Sequence, residues 1–157
     1  MRLTDILQPG CVKVGLEATT KQEAICELVD LLAAAEGIDD VQELRDAVWK
    51  REQTRTTGIG HGIAIPHGKV AGCQRLCMAL AKTTVPIEFG AIDGKPVELI
   101  ILLASPFDQT GPHIQALAQI SHLLTDEDFR SAIHRVTTSN AIYELICEQE
   151  AKALSPP

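Results

Sequence analysis

Apolar positions along the chain change period several times, and each change marks an element. Thr20-Lys21-Gln22-Glu23 has the form of a capping box, and behind it Ala24, Ile25, Leu28, Val29, Leu32 and Ala35 recur at helical spacing until Gly37. Val41, Leu44, Ala47 and Val48 repeat that spacing, predicting a second helix that ends between Arg51 and Arg55, ahead of the Thr56-Thr57-Gly58 break. From Ile59 the period falls to two. Ile59, His61, Ile63 and Ile65 alternate with Gly60, Gly62 and Ala64, which predicts a strand with one nearly bare face and a half-buried His61. Leu76 to Lys82 and Val97 to Ala104 read as further strands, the latter apolar on both faces and therefore central. Asp93-Gly94 between them predicts a turn and an antiparallel connection.

Helical spacing returns with Ile114, Leu117, Ala118, Ser121 and Leu124 behind Pro112, and a shorter helix is expected over Asp126 to Val136. Ser139 is placed to cap a last helix carrying Ile142, Leu145 and Ile146. Residues 153–157, closing in Ser155-Pro156-Pro157, are expected to form a frayed tail behind one domain over 1–152. The order is helices, then strands, then helices around one sheet: an α/β class with a single sheet flanked by helices on both faces.

Composition narrows the function. Fourteen Lys and Arg against 21 Asp and Glu give a net charge of -7, which argues against a nucleic acid or an anionic membrane held by bulk electrostatics. Aromatic residues make up 3% of the chain, too few for base-stacking platforms. Leu99 to Ala104 is the longest apolar stretch, far short of the roughly 20 residues of a spanning helix, and the first residues open no signal peptide. The chain therefore reads as a cytosolic protein with no membrane insertion. Its five cysteines read as small hydrophobes; Cys73 and Cys77, four apart, suit either one face of a helix or metal ligation. No second pair with zinc-site spacing accompanies them, so no metal is expected. A hydrolase metal set of His61, His67 and Cys73 is the remotest reading.

Chemistry concentrates in Thr57 to Lys69. It is no dinucleotide fingerprint, because Ile63 or Ile65 stands where the third glycine belongs. Nor is it a P-loop: Gly62 to Gly68 is one residue too long, and Val70 replaces the magnesium-binding Ser or Thr. The stretch does specify the backbone around one histidine. Pro66 biases Ile65 toward extension and cannot donate to a ladder, so the strand should stop there, leaving His67 just beyond it and Gly68 making room. Imidazole is neutral and nucleophilic near pH 7, and backbone N–H groups of Gly60 and Gly68 with the cations Arg51, Arg55 and Lys69 suit a phosphoryl group.

Glu52, Ile59, Gly60, Ile63, Ala64, Ile65, Pro66, His67 and Gly68 together resemble the active-site signature of the fructose/mannitol-type enzyme IIA domains of the bacterial phosphoenolpyruvate-dependent phosphotransferase system. Leu3-Thr4-Asp5-Ile6-Leu7, Lys50-Arg51-Glu52 and Pro106-Phe107-Asp108-Gln109-Thr110, followed by His113 and Leu117, extend the resemblance along nearly the whole chain. It implies a mixed sheet between helices. It also implies phosphorylation of His67 on Nε2 by HPr or a related carrier, with His113 stabilising the group and Arg51 beside it. No cofactor is implied, and His122 and His134 have no motif position. The wording around Arg51-Glu52 and from Thr57 to Lys69 is closer to the nitrogen-regulatory branch, which acts on regulatory target proteins. A sugar-type IIA passing phosphate to a IIB protein and a non-catalytic interaction module of the same fold are the alternatives. The acidic surface is expected to steer the carrier.

Overall fold

The computed structural model describes residues 1–154. After a 3-10 turn at Leu3–Asp5 come β1 (Leu7–Leu16), α1 (Lys21–Glu36), α2 (Val41–Thr54), β2 (Gly58–Gly60), β3 (Ile63–Ala64) and β4 (His67–Lys69). The long strands β5 (Cys77–Ile87) and β6 (Val97–Ser105) follow, then α3 (Thr110–Leu124), α4 (Glu127–Arg135) and α5 (Ser139–Leu154). One mixed sheet runs in the order β1-β5-β6-β3-β2, and β4 also pairs with β6. β1 is parallel to β5, β5 antiparallel to β6, and both β3 and β4 parallel to β6. The α/β class and the helices on both faces are as the pattern predicts.

Local chemistry accounts for the helix limits. Thr20 accepts from Glu23 N at 3.3 Å to start α1, and Gly37 ends it in a left-handed conformation, φ 68°. Leu28 and Leu32 inside α1 are fully buried, each worth about 1.5–3 kcal/mol. Asp40 caps α2 through Glu43 N at 2.9 Å. The last helix is capped by Thr138, whose Oγ1 accepts from Ala141 N at 3.1 Å; Ser139 is already helical. That helix runs through Leu154, two residues past the expected domain limit, while Ser155, Pro156 and Pro157 lie outside the described residues.

Alternation along β5 and β6 sorts the layers. Met78, Leu80, Leu99 and Ile101 line a seam with Ile120 of α3, Phe129 and Ile133 of α4 and Ile146 of α5. The smaller Cys77, Ala79 and Ala81 point the other way, where α1 packs against β5. Among the described residues no helix is long and apolar enough to cross a membrane.

Three further expectations change. β1 precedes the helices, so the order is not helices, then strands, then helices. Its Pro9-Gly10 and Gly15 hide it: Pro survives because β1 is an edge strand, and pairing slips between Leu7 and Val12. The alternating stretch from Ile59 is not one strand but a hairpin, β2 antiparallel to β3. Gly60, His61 and Gly62 turn it with φ of 98°, 58° and 76°, leaving His61 exposed rather than half-buried. Finally, pairing resumes after Pro66: His67 lies in β4, opposite Leu103 of β6, rather than beyond the sheet.

Candidate functional site

His67 and Lys69 stand in register with Leu103 and Ser105 and share their face of the sheet, toward α3. Gly68 between them faces α2. A Cβ there would lie 3.0 Å from Val48 Cγ2 and 3.1 Å from Val48 N, so its missing side chain admits a helix rather than making room for His67.

The His67 ring is half-buried, and its Nδ1 lies 2.8 Å from the carbonyl oxygen of Ile65. A carbonyl only accepts, so the proton is on Nδ1 and the Nε2 lone pair is left free. Pro66, between donor and acceptor, fixes the turn that makes this bond; its carbonyl in turn accepts from Leu103 N at 3.1 Å. Burial holds the His67 pKa below the ordinary histidine value, and Arg51 and Lys69 push it the same way against the Ile65 bond and Glu52. The ring is neutral at pH 7, as a nucleophile requires.

His113 enters from the first turns of α3 with its ring centroid 5.3 Å from that of His67, the planes 65° apart. It is 3% exposed. Ser105 Oγ sits 2.7 Å from its Nδ1, and its Nε2 is buried without a hydrogen-bond partner. Burial, then the charges of His67 and Lys69, lower its pKa to about 4.

Two cations border the pair. Lys69 Nζ donates to Thr110 Oγ1 at the start of α3, 3.0 Å away. Arg51, in the last turn of α2, donates to the carbonyl of Arg55 at 3.0 Å. Beneath them, buried Glu52 accepts from the backbone N of Thr57 at 2.8 Å and from its hydroxyl, and pairs with Lys21 Nζ at 2.8 Å. Lys21 also donates to the Phe89 carbonyl at 2.9 Å, so Glu52 ties α2, α1 and the approach to β2 together. Two cations, Arg51 and Lys69, and one buried carboxylate, Glu52, act on the charge of His67. Phe107 and Ile114, 63% and 60% exposed, stand on the loop and helix that carry His113.

His67, His113 and Lys69 come together on one face, and Arg51 comes near enough for its charge to act on His67. Gly60 does not: it pairs beside Ile63, opposite Leu99, four β6 positions from Leu103 and so about 13 Å along the strand. Ser105, the Ile65 carbonyl and Lys21 escaped sequence reasoning. A serine closing the apolar run of β6 was the one available signal. Cys73 and Cys77 share no helix; they sit in a turn and at the start of β5 with sulfurs 3.8 Å apart.

Over 153 residues the chain is 32% identical to the nitrogen regulatory protein of Bradyrhizobium diazoefficiens, a match spanning 98% of this chain and 99% of that protein. It is 30% identical over 150 residues to the fructose-specific EIIABC component of Bacillus subtilis, which covers 96% of this chain but 24% of that longer protein. The crystal structure of nitrogen regulatory protein IIA-Ntr from Neisseria meningitidis matches the fold with a TM-score of 0.85 at 28% identity, over 92% of this chain and 98% of that one. Residues 5–149 match the family described as "Phosphoenolpyruvate-dependent sugar phosphotransferase system, EIIA 2", and the chain belongs to that family of phosphotransferase components.

Proposed function

We propose that this chain is a phosphocarrier that accepts a phosphoryl group on His67 Nε2 from an HPr-type protein and acts as a nitrogen-regulatory enzyme IIA. The observation that carries the reading is the His67 ring itself: Nδ1–H is committed to Ile65, and Nε2 is free beside the unpartnered Nε2 of a buried histidine. In the transfer, the Nε2 lone pair attacks phosphorus and the bond from phosphorus to the carrier's nitrogen breaks, its electron pair leaving with that nitrogen. The phosphorylated ring gains positive character, which the Ile65 carbonyl offsets through Nδ1–H. The phosphoryl oxygens bring close to two negative charges, and Arg51 and Lys69 supply the opposing ones. Such a transfer depends mainly on positioning and charge neutralisation, so the chemistry calls for no cofactor.

Intact mass after incubation with enzyme I, HPr and phosphoenolpyruvate should rise by about 80 Da, one phosphoryl unit. The adduct is expected to be acid-labile and absent in His67→Ala. Label that survives the substitution puts the site elsewhere, and no label with any cognate carrier favours the interaction module. The regulatory role is supported by relatives of matching length named for nitrogen regulation. Rapid transfer from the phosphorylated chain to a fructose- or mannitol-type IIB protein would favour the sugar-uptake role instead.

A further inference from the structure

His113 presents two ring nitrogens in a space that excludes water, and only one of them has a partner. Its backbone N–H is already bonded to the Gln109 carbonyl at 3.0 Å, so the ring is the part left to account for. Ser105, the last residue of β6, is fully buried, and its carbonyl accepts from Val70 N at 3.0 Å. Among the described residues its hydroxyl has one hydrogen-bond partner, His113 Nδ1 at 2.7 Å.

That bond can run in two directions. With Nδ1–H donating to Oγ, the serine proton has no acceptor and Nε2 is a buried lone pair with no donor, so two groups are stranded. With the serine donating to Nδ1, the proton of the ring moves to Nε2, and a single polar hydrogen is left unpaired. A stranded buried polar group costs about 1–3 kcal/mol, so the second arrangement is favoured. The one unpaired hydrogen then belongs to a ring packed edge-on to His67.

We propose that Ser105 is a positioning residue that donates its hydroxyl proton to His113 Nδ1, holds the ring in the Nε2–H tautomer and so gives the phosphoryl group on His67 a fixed neutral donor. The inference rests on the phosphocarrier reading for its consequence, though not for its geometry. A neutral donor suits the site better than a cation, because Arg51 and Lys69 already provide charge there and a third positive group would repel the ring of phosphorylated His67. The serine also prevents the failure that a neutral imidazole invites, in which the wrong tautomer turns a lone pair toward the phosphoryl oxygens. Partners that fix a histidine tautomer from behind are worth about 10–100-fold in activity at metal sites, and a loss of that order is expected here.

The test is nitrogen-15 NMR of the histidine rings at pH 7 in the free chain, with no carrier present. His113 should show a protonated Nε2 and an unprotonated Nδ1. Ser105→Ala should redistribute the proton between the two nitrogens and slow transfer from the phosphorylated carrier about 10–100-fold at saturation, with KM unchanged; Ser105→Thr, which keeps the hydroxyl, should restore both. A wild-type His113 protonated on Nδ1 overturns the proposal, whether or not the alanine variant folds. So does a folded Ser105→Ala with unchanged tautomer and rate. The ring spectrum requires no phosphorylation: Nε2–H in a chain that never takes up label would leave the role of Ser105 standing and sink the phosphocarrier reading alone.

Discussion

The segment from Gly58 to Lys69 has two ends that look alike in sequence and differ in every physical respect. Each holds a histidine between small residues: Gly60-His61-Gly62 at one end, Pro66-His67-Gly68 at the other. At the first, three successive positive φ angles make a turn, and His61 is exposed with its backbone N–H tied to Asp93 Oδ2 at 3.0 Å. At the second, extended backbone pairs with β6, and the imidazole is half-buried with one nitrogen occupied and one free. The hairpin end even opens a cavity of about 470 Å³, lined by Lys82, Glu98, Arg130 and His134. There Lys82 is spent internally, its Nζ donating to the carbonyls of Ile133, His134 and Val136, and His134 Nδ1 lies 3.4 Å from Glu98. A histidine becomes a reagent through committed hydrogen bonds and controlled burial, whereas glycine on either side serves a turn as readily as a site.

The sharpest break of this comparison is a swap of removals. His67→Ala should abolish phosphoryl uptake, while His61→Ala should leave its rate within about twofold, as expected of a surface substitution away from the site. A comparable loss in His61→Ala, read by the same intact-mass assay, would erase the distinction between the two ends.

The sequence singled out His67 through Pro66 and Gly68, but the structure gives both a different use: Pro66 makes the turn that lets Nδ1 reach Ile65, pairing resumes behind it, and Gly68 admits α2. The sequence disclosed α1 through its capping box, α2 through apolar spacing alone, and β5 and β6 through apolar runs too rich for an exposed strand. The hairpin stayed hidden because a period of two is common to one strand and to two strands joined by a tight turn. What separates them is the sign of φ at His61, which no side-chain pattern encodes. β4 has three residues, too few to show any period. The Ser105–His113 and Lys21–Glu52 contacts join elements whose relative placement is settled only when the sheet assembles.

Glycines give the next test. Gly68→Val drives side-chain atoms into the backbone of α2 at Val48, and overpacking of this kind costs about 1–3 kcal/mol. Tm should fall by about 2–4 °C per kcal/mol, and phosphoryl uptake should slow as well, because β4 carries His67. Gly62→Ala makes only ordinary van der Waals contacts, the nearest 3.8 Å from the Pro96 carbonyl oxygen, and pays only for its φ of 76°, about 1–2 kcal/mol. Its Tm should fall with uptake unchanged. A Gly68→Val protein that transfers at the wild-type rate would uncouple β4 packing from the nucleophile.

The buried ring also shapes the response to acid. An unfolded chain protonates histidine near pH 6.5, but His113 in the fold resists until about pH 4. Below pH 6.5 the unfolded state binds the extra proton, so the contribution of neutral His113 is intact above pH 6.5 and drains away as pH falls toward 4. Urea midpoints should decline across that window in the wild type and less steeply in His113→Gln. A His113→Gln protein that keeps the wild-type slope would mean that burial of this ring is not the cause.

The smallest effect belongs to the hairpin itself. Asp93 accepts from His61 N at 3.0 Å and from Lys95 N at 3.1 Å, pinning the turn to the loop before β6. The carboxylate is exposed, so water replaces it when it is removed, and Asp93→Ala should lower Tm by less than either glycine substitution. Phosphoryl uptake should not change, because the turn meets β6 at Leu99 and the nucleophile meets it at Leu103, and β6 is paired with β5 along the whole stretch between them. Slower uptake in Asp93→Ala at unchanged Tm would show that the hairpin reaches the histidines through β6, and the two ends of the segment would then be one functional unit.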